Sequence, residues 1–486
     1  MTTTARERTV PGLATIVGFL VCVELASGVL QGYYTPIYSD IARHLSIHDA
    51  SVNWFEAAQL VVSALVVPVL ARLGDLVGHR RVLLLTTAVT ALASWALAFA
   101  PTFATFLVAW AIQGFYVVWL PLEVSIVHRR TAGTGDQQRL TRRAAAFLVA
   151  ALETGVVVGA LTSGAIVTGT SMTVVLLLPA AAVTLCLGVI WYGVADTPPV
   201  STGRLDWAGF GMVTVAIGLV MAGLILVRLL GPAAWLPWLV IVLGLLALWP
   251  FARVELRQEE PLVDVRLLVA RAQWPVQLTA FLFGMSVLGA QIPLSTFART
   301  DPAVVGYGIG ADAAFVSTLI GIYVIALAAG ALSLPVAARR LGTRGAMVLA
   351  SLLVATGYGL FLPRHGSTVD MMTNMVIAGL GSGALVAALP AAAAAAAPED
   401  RTGFVTGMTN TTKTIGGAIA SAVFAIALAS TGSIAGASTG HAPLAGYLTV
   451  WAICAASALV AAACLVVVPR AAFGEQPAPA VSSGPA

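Results

Sequence analysis

Four glutamates and one lysine stand inside stretches that are otherwise apolar. Glu24, Glu56, Glu123, Glu153 and Lys413 each interrupt a run of residues long enough to cross a bilayer. A charge at the bilayer centre costs at least about 2.5 kcal/mol, so such a side chain faces a partner or a wetted cavity. A carboxyl in that setting keeps a proton while sealed and releases it when water arrives, which is proton-loading chemistry. At 1.5 Å of rise per residue, Glu24 stands about 18 Å into the first run, Glu153 about 15 Å into the fifth and Lys413 about 18 Å into the thirteenth. Glu56 lies about 8 Å from the start of the second run, and Glu123 near the end of the fourth. Glu24 is the first candidate for proton coupling and Glu153 the second. The competing readings are a neutral Glu24 hydrogen-bonded between helices and a Glu153 ion-paired to an Arg or Lys. Glu56 and Glu123 reach interfacial water and suit structural or gating roles. Lys413 suits pairing with the scaffold more than contact with a substrate.

The elements that position these charges follow from composition. The chain has 486 residues, 59% apolar and 9% charged, with mean hydropathy +0.94. Soluble domains carry about 25% charged residues, so this is an all-α integral membrane protein. Apolar runs predict fourteen spans: 12–37, 51–72, 82–99, 103–128, 143–168, 173–194, 207–230, 235–253, 274–298, 313–338, 345–363, 368–397, 402–430 and 444–468. With the N-terminus inside, 20 of the 24 arginines fall on inner segments; only Arg43, Arg228, Arg299 and Arg364 fall outside. That asymmetry predicts both termini in the cytoplasm. The first run exceeds a signal-peptide core and reads as an uncleaved helix. Cys22, Cys186, Cys454 and Cys464 all lie inside apolar runs, which argues against disulfides or a zinc site. The net charge of +4 is explained by topology and is no nucleic-acid signal.

An internal repeat organises the spans. Leu70–Val82 reads Leu-Ala-Arg-Leu-Gly-Asp-Leu-Val-Gly-His-Arg-Arg-Val, and Pro335–Arg344 echoes it with Gly342 in the place of Gly78. Arg143-Ala-Ala-Ala-Phe with Gly159 likewise echoes Arg401-Thr-Gly-Phe with Gly417. The offsets, 264 and 258, imply two homologous six-helix halves with two extra spans between them. The expected units are 1–200, an inserted pair at 201–258, a second half at 259–470 opening on an interfacial helix over 255–271, and a disordered tail at 471–486.

The spacing Asp75-x-x-Gly78-x-Arg80-Arg81 resembles the signature loop of the major facilitator superfamily, with Ala71 where the family usually has Gly. The six-plus-two-plus-six plan resembles its 14-helix drug:proton antiporter family over nearly the whole chain. Leu205-Asp-Trp-Ala-Gly, Pro261-Leu-Val-Asp-Val-Arg-Leu-Leu, Gln113-Gly114 with Pro121-Leu122, and Asn410-Thr-Thr-Lys-Thr-Ile-Gly-Gly support the likeness. The resemblance implies alternating access, with Asp75, Gly78, Arg80 and Arg81 gating the cytoplasmic side. Three departures bear on coupling and not on fold. Trp110 stands where the family has an Arg, Ser27 where it has its first-helix acid, and Gly159-Ala160 where it has Gly-Pro. Gly155, Gly159 and Ser163 still offer small residues every four positions for close helix approach.

Gln31, Tyr33 and Tyr34 in the first span, Trp110, Gln113, Tyr116 and Trp119 in the fourth, and Gln291 in the ninth are the candidate substrate-binding residues. Rings supply contact area and amides set orientation, which suits an amphipathic organic molecule. Gly306-Tyr-Gly308-Ile-Gly310 has no strand before it and reads as a turn, and Asn410-Thr-Thr lies in a span where no glycan reaches it. With no nucleophile–base or metal-ligand spacing, an enzyme is not expected. The expectation is a monomeric, multi-pass exporter in a bacterial plasma membrane, using the proton gradient and no cofactor. Its partners would be protons, lipid and an amphipathic drug or metabolite, in the manner of multidrug efflux and antibiotic resistance. A lipid or lipid-linked-metabolite translocator on the same fold and a non-transporting membrane sensor stay open.

Overall fold

The computed structural model describes residues 17–132, 137–196, 198–199, 204–258, 261–398, 401–429 and 440–467. Every regular element among them is helical, and eleven helices are long and apolar enough to cross a membrane. Inside a bilayer no water satisfies a free N–H or C=O, so a helix that bonds its own backbone is the expected element. The tail expected at 471–486, with Arg6 and Arg8, lies outside the described residues.

Three expected spans are interrupted, two of them for a local reason. The first is helical over Leu20–Tyr33, tightens to a 3-10 turn at Thr35–Ile37 and resumes at Tyr38–His44. Pro36 has no N–H to donate, so an unbroken α ladder cannot run through it. The fourth divides into Phe103–Gln113 and Trp119–Arg130 around a 3-10 stretch at Gly114–Val118. A Cβ at Gly114 would lie 2.6 Å from the Ser63 Oγ, so the break is packed directly onto the neighbouring Asn53–Val77 helix. The ninth divides into Trp274–Val287 and Gln291–Arg299. By contrast, Ala313–Leu360 is continuous except where Gly342, at φ 76°, turns the chain. The interfacial helix expected over 255–271 shrinks to one turn, Val265–Leu268, started by Asp264, which accepts the Leu267 N–H at 3.3 Å. Pro261 stops a helix from running through from Glu255. The Gly306–Gly310 turn is borne out, with positive φ at Gly306, Gly308 and Gly310.

Side chains sort into two large apolar cores. The first gathers buried residues from Val17 to Val194, with Ile292 inserted from outside that range. The second runs from Val276 to Leu465 and takes in Ala50. A third, small cluster joins Trp54 and Ala57, Leu224, and Ala422 with Ala425. Through it the antiparallel pair Trp207–Leu230 and Trp235–Glu255 leans on both cores. The two helices of that pair knit where Gly223 meets Ile241 and Gly244 meets Ala216 and Val220.

The repeat read from sequence has a structural counterpart. Gly78 (φ 103°) and Gly342 (φ 76°) both hold a backbone region closed to residues with a Cβ, and each ends one helix and starts the next. Contacts between the cores pair positions about one repeat apart. Arg299 donates to both carboxylate oxygens of Asp40 at 2.9 and 3.0 Å, and the Ser295 hydroxyl donates to the Thr35 carbonyl. Each pair is separated by 259 or 260 residues, which is what an interface lying on a pseudo-twofold axis requires. His441 beside Asp49 at 2.9 Å and the Ser317 hydroxyl donating to the Ala160 carbonyl at 2.7 Å add to this clamp. Around the opposite, arginine-rich face, several bonds run within one core. Arg80 donates to the Trp191 carbonyl at 2.7 Å, Arg81 faces Asp196 at 3.9 Å, and Arg401 faces Asp264 at 3.9 Å.

Within the first core, Leu20–Tyr33 and Gln137–Ile166 approach backbone to backbone through Gly28, Gly32 and Gly155. A Cβ on Gly28 would sit 1.9 Å from the Leu152 carbonyl oxygen, whereas Gly188 has open space around it. Gly28→Ala should therefore destabilise the protein by about 1–3 kcal/mol, and Gly188→Ala should not. Thermal unfolding in detergent checks this; equal midpoints for the two variants would contradict the packing described.

Candidate functional site

Glu24 and Glu123 meet inside the first core. Leu20–Tyr33 packs on Trp119–Arg130, and the two carboxyls interact side chain to side chain. Both residues are 0% exposed, and none of their four oxygens has another hydrogen-bond partner. Arg130 donates to the Val17 carbonyl at 3.4 Å, and Phe19 lies against Gly193, which marks the arginine-rich edge of the core. Glu24 follows Val17 by seven residues and Glu123 precedes Arg130 by seven, so both lie about 10 Å inside that edge. Glu123 is a partner of the principal acid, a role that residue type and depth alone did not suggest.

Glu56 is half-buried near the Tyr38 and Tyr116 rings. Tyr116 in turn lies near Glu24 and packs edge-on against Trp119, with ring centroids 6.1 Å apart. Next to these, Gln113 organises a polar knot. Its amide donates to the Tyr34 hydroxyl and to the Ser94 Oγ, both at 2.9 Å, and accepts from Gln59 at 3.5 Å. Ser63 donates to the Gly114 carbonyl at 2.9 Å. Trp110 closes the knot with its centroid 4.5 Å from that of Tyr34, in the place where an Arg was expected from the resemblance. Most of the expected substrate contacts are therefore packed away in this conformation. Tyr33, Tyr34, Trp110, Gln113 and Trp119 are buried, and the Tyr33 hydroxyl is committed to the Val175 carbonyl at 2.6 Å. Gln31 is exposed and Gln291 half-buried.

Glu153 and Lys413 face each other between the two cores, one on Gln137–Ile166 and the other on Thr402–Ala427. Tyr323 joins them from Ala313–Leu360, and its buried hydroxyl lies beside that of Ser382. Sequence reasoning passed over both residues. A mid-span tyrosine and a serine inside Gly379-Leu380-Gly381-Ser382-Gly383 were the available signals. It also passed over Gln277, which donates to the Thr409 hydroxyl and accepts from Thr412, both at 3.1 Å, and over Asp40 in the clamp. In the Leu70–Val82 loop, Asp75 lies 3.3 Å from His79, while Arg80 and Arg81 bind the Trp191 and Asp196 end of the adjoining helix. No group of three or more His, Cys, Asp or Glu residues among those described could hold a metal ion. What the arrangement offers chemically is proton binding and charge neutralisation in a low-dielectric interior.

Comparison with known proteins fits this geometry. A family model described as Major Facilitator Superfamily matches residues 20–421. The Uridine/deoxyuridine transporter of Lactococcus lactis subsp. cremoris (strain MG1363) is 24% identical over 433 residues, covering 83% of this chain and 86% of that one. Among solved structures, the nucleoside transporter NupG superposes with a TM-score of 0.61 at 14% identity, over 96% of this chain and 100% of that one. A peptide transporter POT in complex with sulfate superposes with a TM-score of 0.66 at 15% identity, over 93% and 94%. These two likenesses concern the fold. With a family match across most of its length, two cores related by a sequence repeat and acids sealed between helices, the chain belongs to the major facilitator superfamily.

Proposed function

We propose that the protein is a secondary active transporter that moves an amphipathic organic solute by alternating access, with proton movement driving the cycle. The observation that carries this reading is a set of acids held in the apolar interior: Glu24 with Glu123 inside the first core, and Glu153 on the first core within electrostatic reach of Lys413 on the second. A group that must be neutral when sealed and charged when wetted converts a change of access into a change of protonation. Fourteen spans in a six-plus-two-plus-six order belong to this reading. The eleven long helices are joined by the second leg of Ala313–Leu360 beyond Gly342, by Leu20–Tyr33 and by Thr402–Ala427. Both termini lie in the cytoplasm of a bacterial cell, because the arginine-rich face is the inner one. The Asp40–Arg299 clamp then seals the outer side, and the gap faces inward. Asp75, Arg80 and Arg81 engage the second core in the opposite state.

A nucleoside is a ring with polar edges and so falls within the amphipathic class. The relative named for uridine and deoxyuridine makes it the first solute to test. Export of a drug by proton antiport is the second reading, favoured by the inserted pair Trp207–Leu230 and Trp235–Glu255. Purified protein in liposomes, given tritiated uridine or an organic-cation dye under an imposed pH gradient, separates them. Gradient-driven movement of either supports the transport reading, and movement of neither, across a panel of nucleosides, dyes and lipids, contradicts it.

Two variants follow from the same account. Glu24→Gln should abolish the part of transport that follows the pH gradient while leaving exchange of solute for solute. A variant that still accumulates solute against its gradient would remove Glu24 from coupling. Arg299→Ala removes the cross-core partner of Asp40 but leaves Arg43 beside it, which costs about 1.5 kcal/mol and shifts the two states about tenfold. Hydrogen exchange should then rise in residues 35–44 and 291–299; unchanged protection would show that the clamp does not hold this state.

A further inference from the structure

We propose that Glu24 and Glu123 form one proton-binding site, a carboxylic acid–carboxylate pair that binds a single shared proton and bridges two helices of the first core. Four observations place the pair. Glu24 sits on Leu20–Tyr33 and Glu123 on Trp119–Arg130, and these helices pack together. Counting from the Arg130–Val17 hydrogen bond, the two residues stand at the same depth. Each is 0% exposed. Each has both oxygens without a donor other than its partner's carboxyl.

A carboxylate is an acceptor only, so two of them in contact with no donor between them repel in a medium of low dielectric. One proton between them turns that repulsion into a charge-assisted hydrogen bond, the arrangement that like-charged acids adopt when they share a site. Among the described residues, the ionisable groups interacting with the pair are Arg130 on the Glu123 helix, Cys186 on the adjoining Met172–Gly193 helix, and Tyr116 before Trp119. Arg130 is the one cation among them, and it lies toward the arginine-rich edge. It therefore compensates the pair's single residual charge and favours release of the proton on that side. The proton bridges Leu20–Tyr33 to Trp119–Arg130, so losing it removes one bond between helices that also pack on each other. The pair's place in coupling rests on the transport reading above, but its sharing of one proton does not.

Infrared difference spectroscopy of the purified protein, without any solute, tests the proposal. The carboxylic-acid carbonyl band of the wild type, minus that of Glu24→Gln, should contain one carboxyl, and the difference for Glu123→Gln should contain the same one. The double variant should lose no more than either single variant, because a Gln amide donates to the remaining carboxylate and removes its need for a proton. Additive losses from the two single variants would show two independent acids. No loss in either would show an unprotonated pair, and each outcome overturns the proposal. If a Gln variant fails to fold, Glu24→Asp keeps the pair and should shift the band while preserving its amplitude. An amplitude change of a full carboxyl in that variant also overturns it.

Discussion

Charge inside a bilayer is tolerated only where the protein supplies what water would have supplied. Four buried or partly buried polar sites in this chain illustrate different ways of meeting that demand. Glu24 and Glu123 have only each other. Glu153 faces Lys413 from a different core. Asp40 and Arg299 meet with two good hydrogen bonds. The Gln113 amide is saturated by Tyr34, Ser94 and Gln59. These solutions differ in how firmly they bind. The Gln113 knot is satisfied whatever the cores do. Arg299 keeps its bonds to Asp40 only while the cores touch, although Asp40 retains Arg43 on its own helix, and the Glu24–Glu123 pair is satisfied only while a proton is present.

That hierarchy separates scaffold from moving parts. Gly28 and Gly155 bring the first and fifth expected spans into backbone contact, and Gly284 with Gly416 does the same for their counterparts in the second core. Such surfaces have no slack and move as units. Movement is left to the interface between the cores, where polar contacts such as Asp40–Arg299 and Ser295–Thr35 pair positions about one repeat apart. An equilibrium between two such packings is what alternating access needs. The inserted helical pair rides on the third cluster without interrupting either core.

Much of this was legible in the sequence. Helix class follows from apolar run length, and the repeat was visible in Gly78 and Gly342 because a positive φ leaves a glycine signature. What remained hidden was anything fixed by contact across the chain. Run length cannot show that Pro36 breaks the first span, that Gly114 packs on Ser63, or that Pro261 leaves one turn of an interfacial helix. Glu123 read as peripheral because depth along one helix says nothing of the neighbour, and the neighbour is Glu24. Tyr33 and Trp119 read as cavity-facing because an aromatic in a span has the same one-dimensional signature whether it lines a cavity or fills a core. Asp40 and Arg299 were each visible as a charge at a span end, but their pairing required the pseudo-twofold to be applied to side chains as well as to helices.

The central claim is that protonation of sealed acids sets which face of the bundle is open. Spin labels at Val77 and Leu341, exposed positions at the arginine-rich ends of the two cores, give the distance between those ends by pulsed electron resonance. The account predicts two distance populations whose ratio changes with pH in the wild type and stops changing when Glu24 and Glu123 are both glutamine. A single distance, or a ratio that follows pH just as well in the doubly substituted protein, would contradict it.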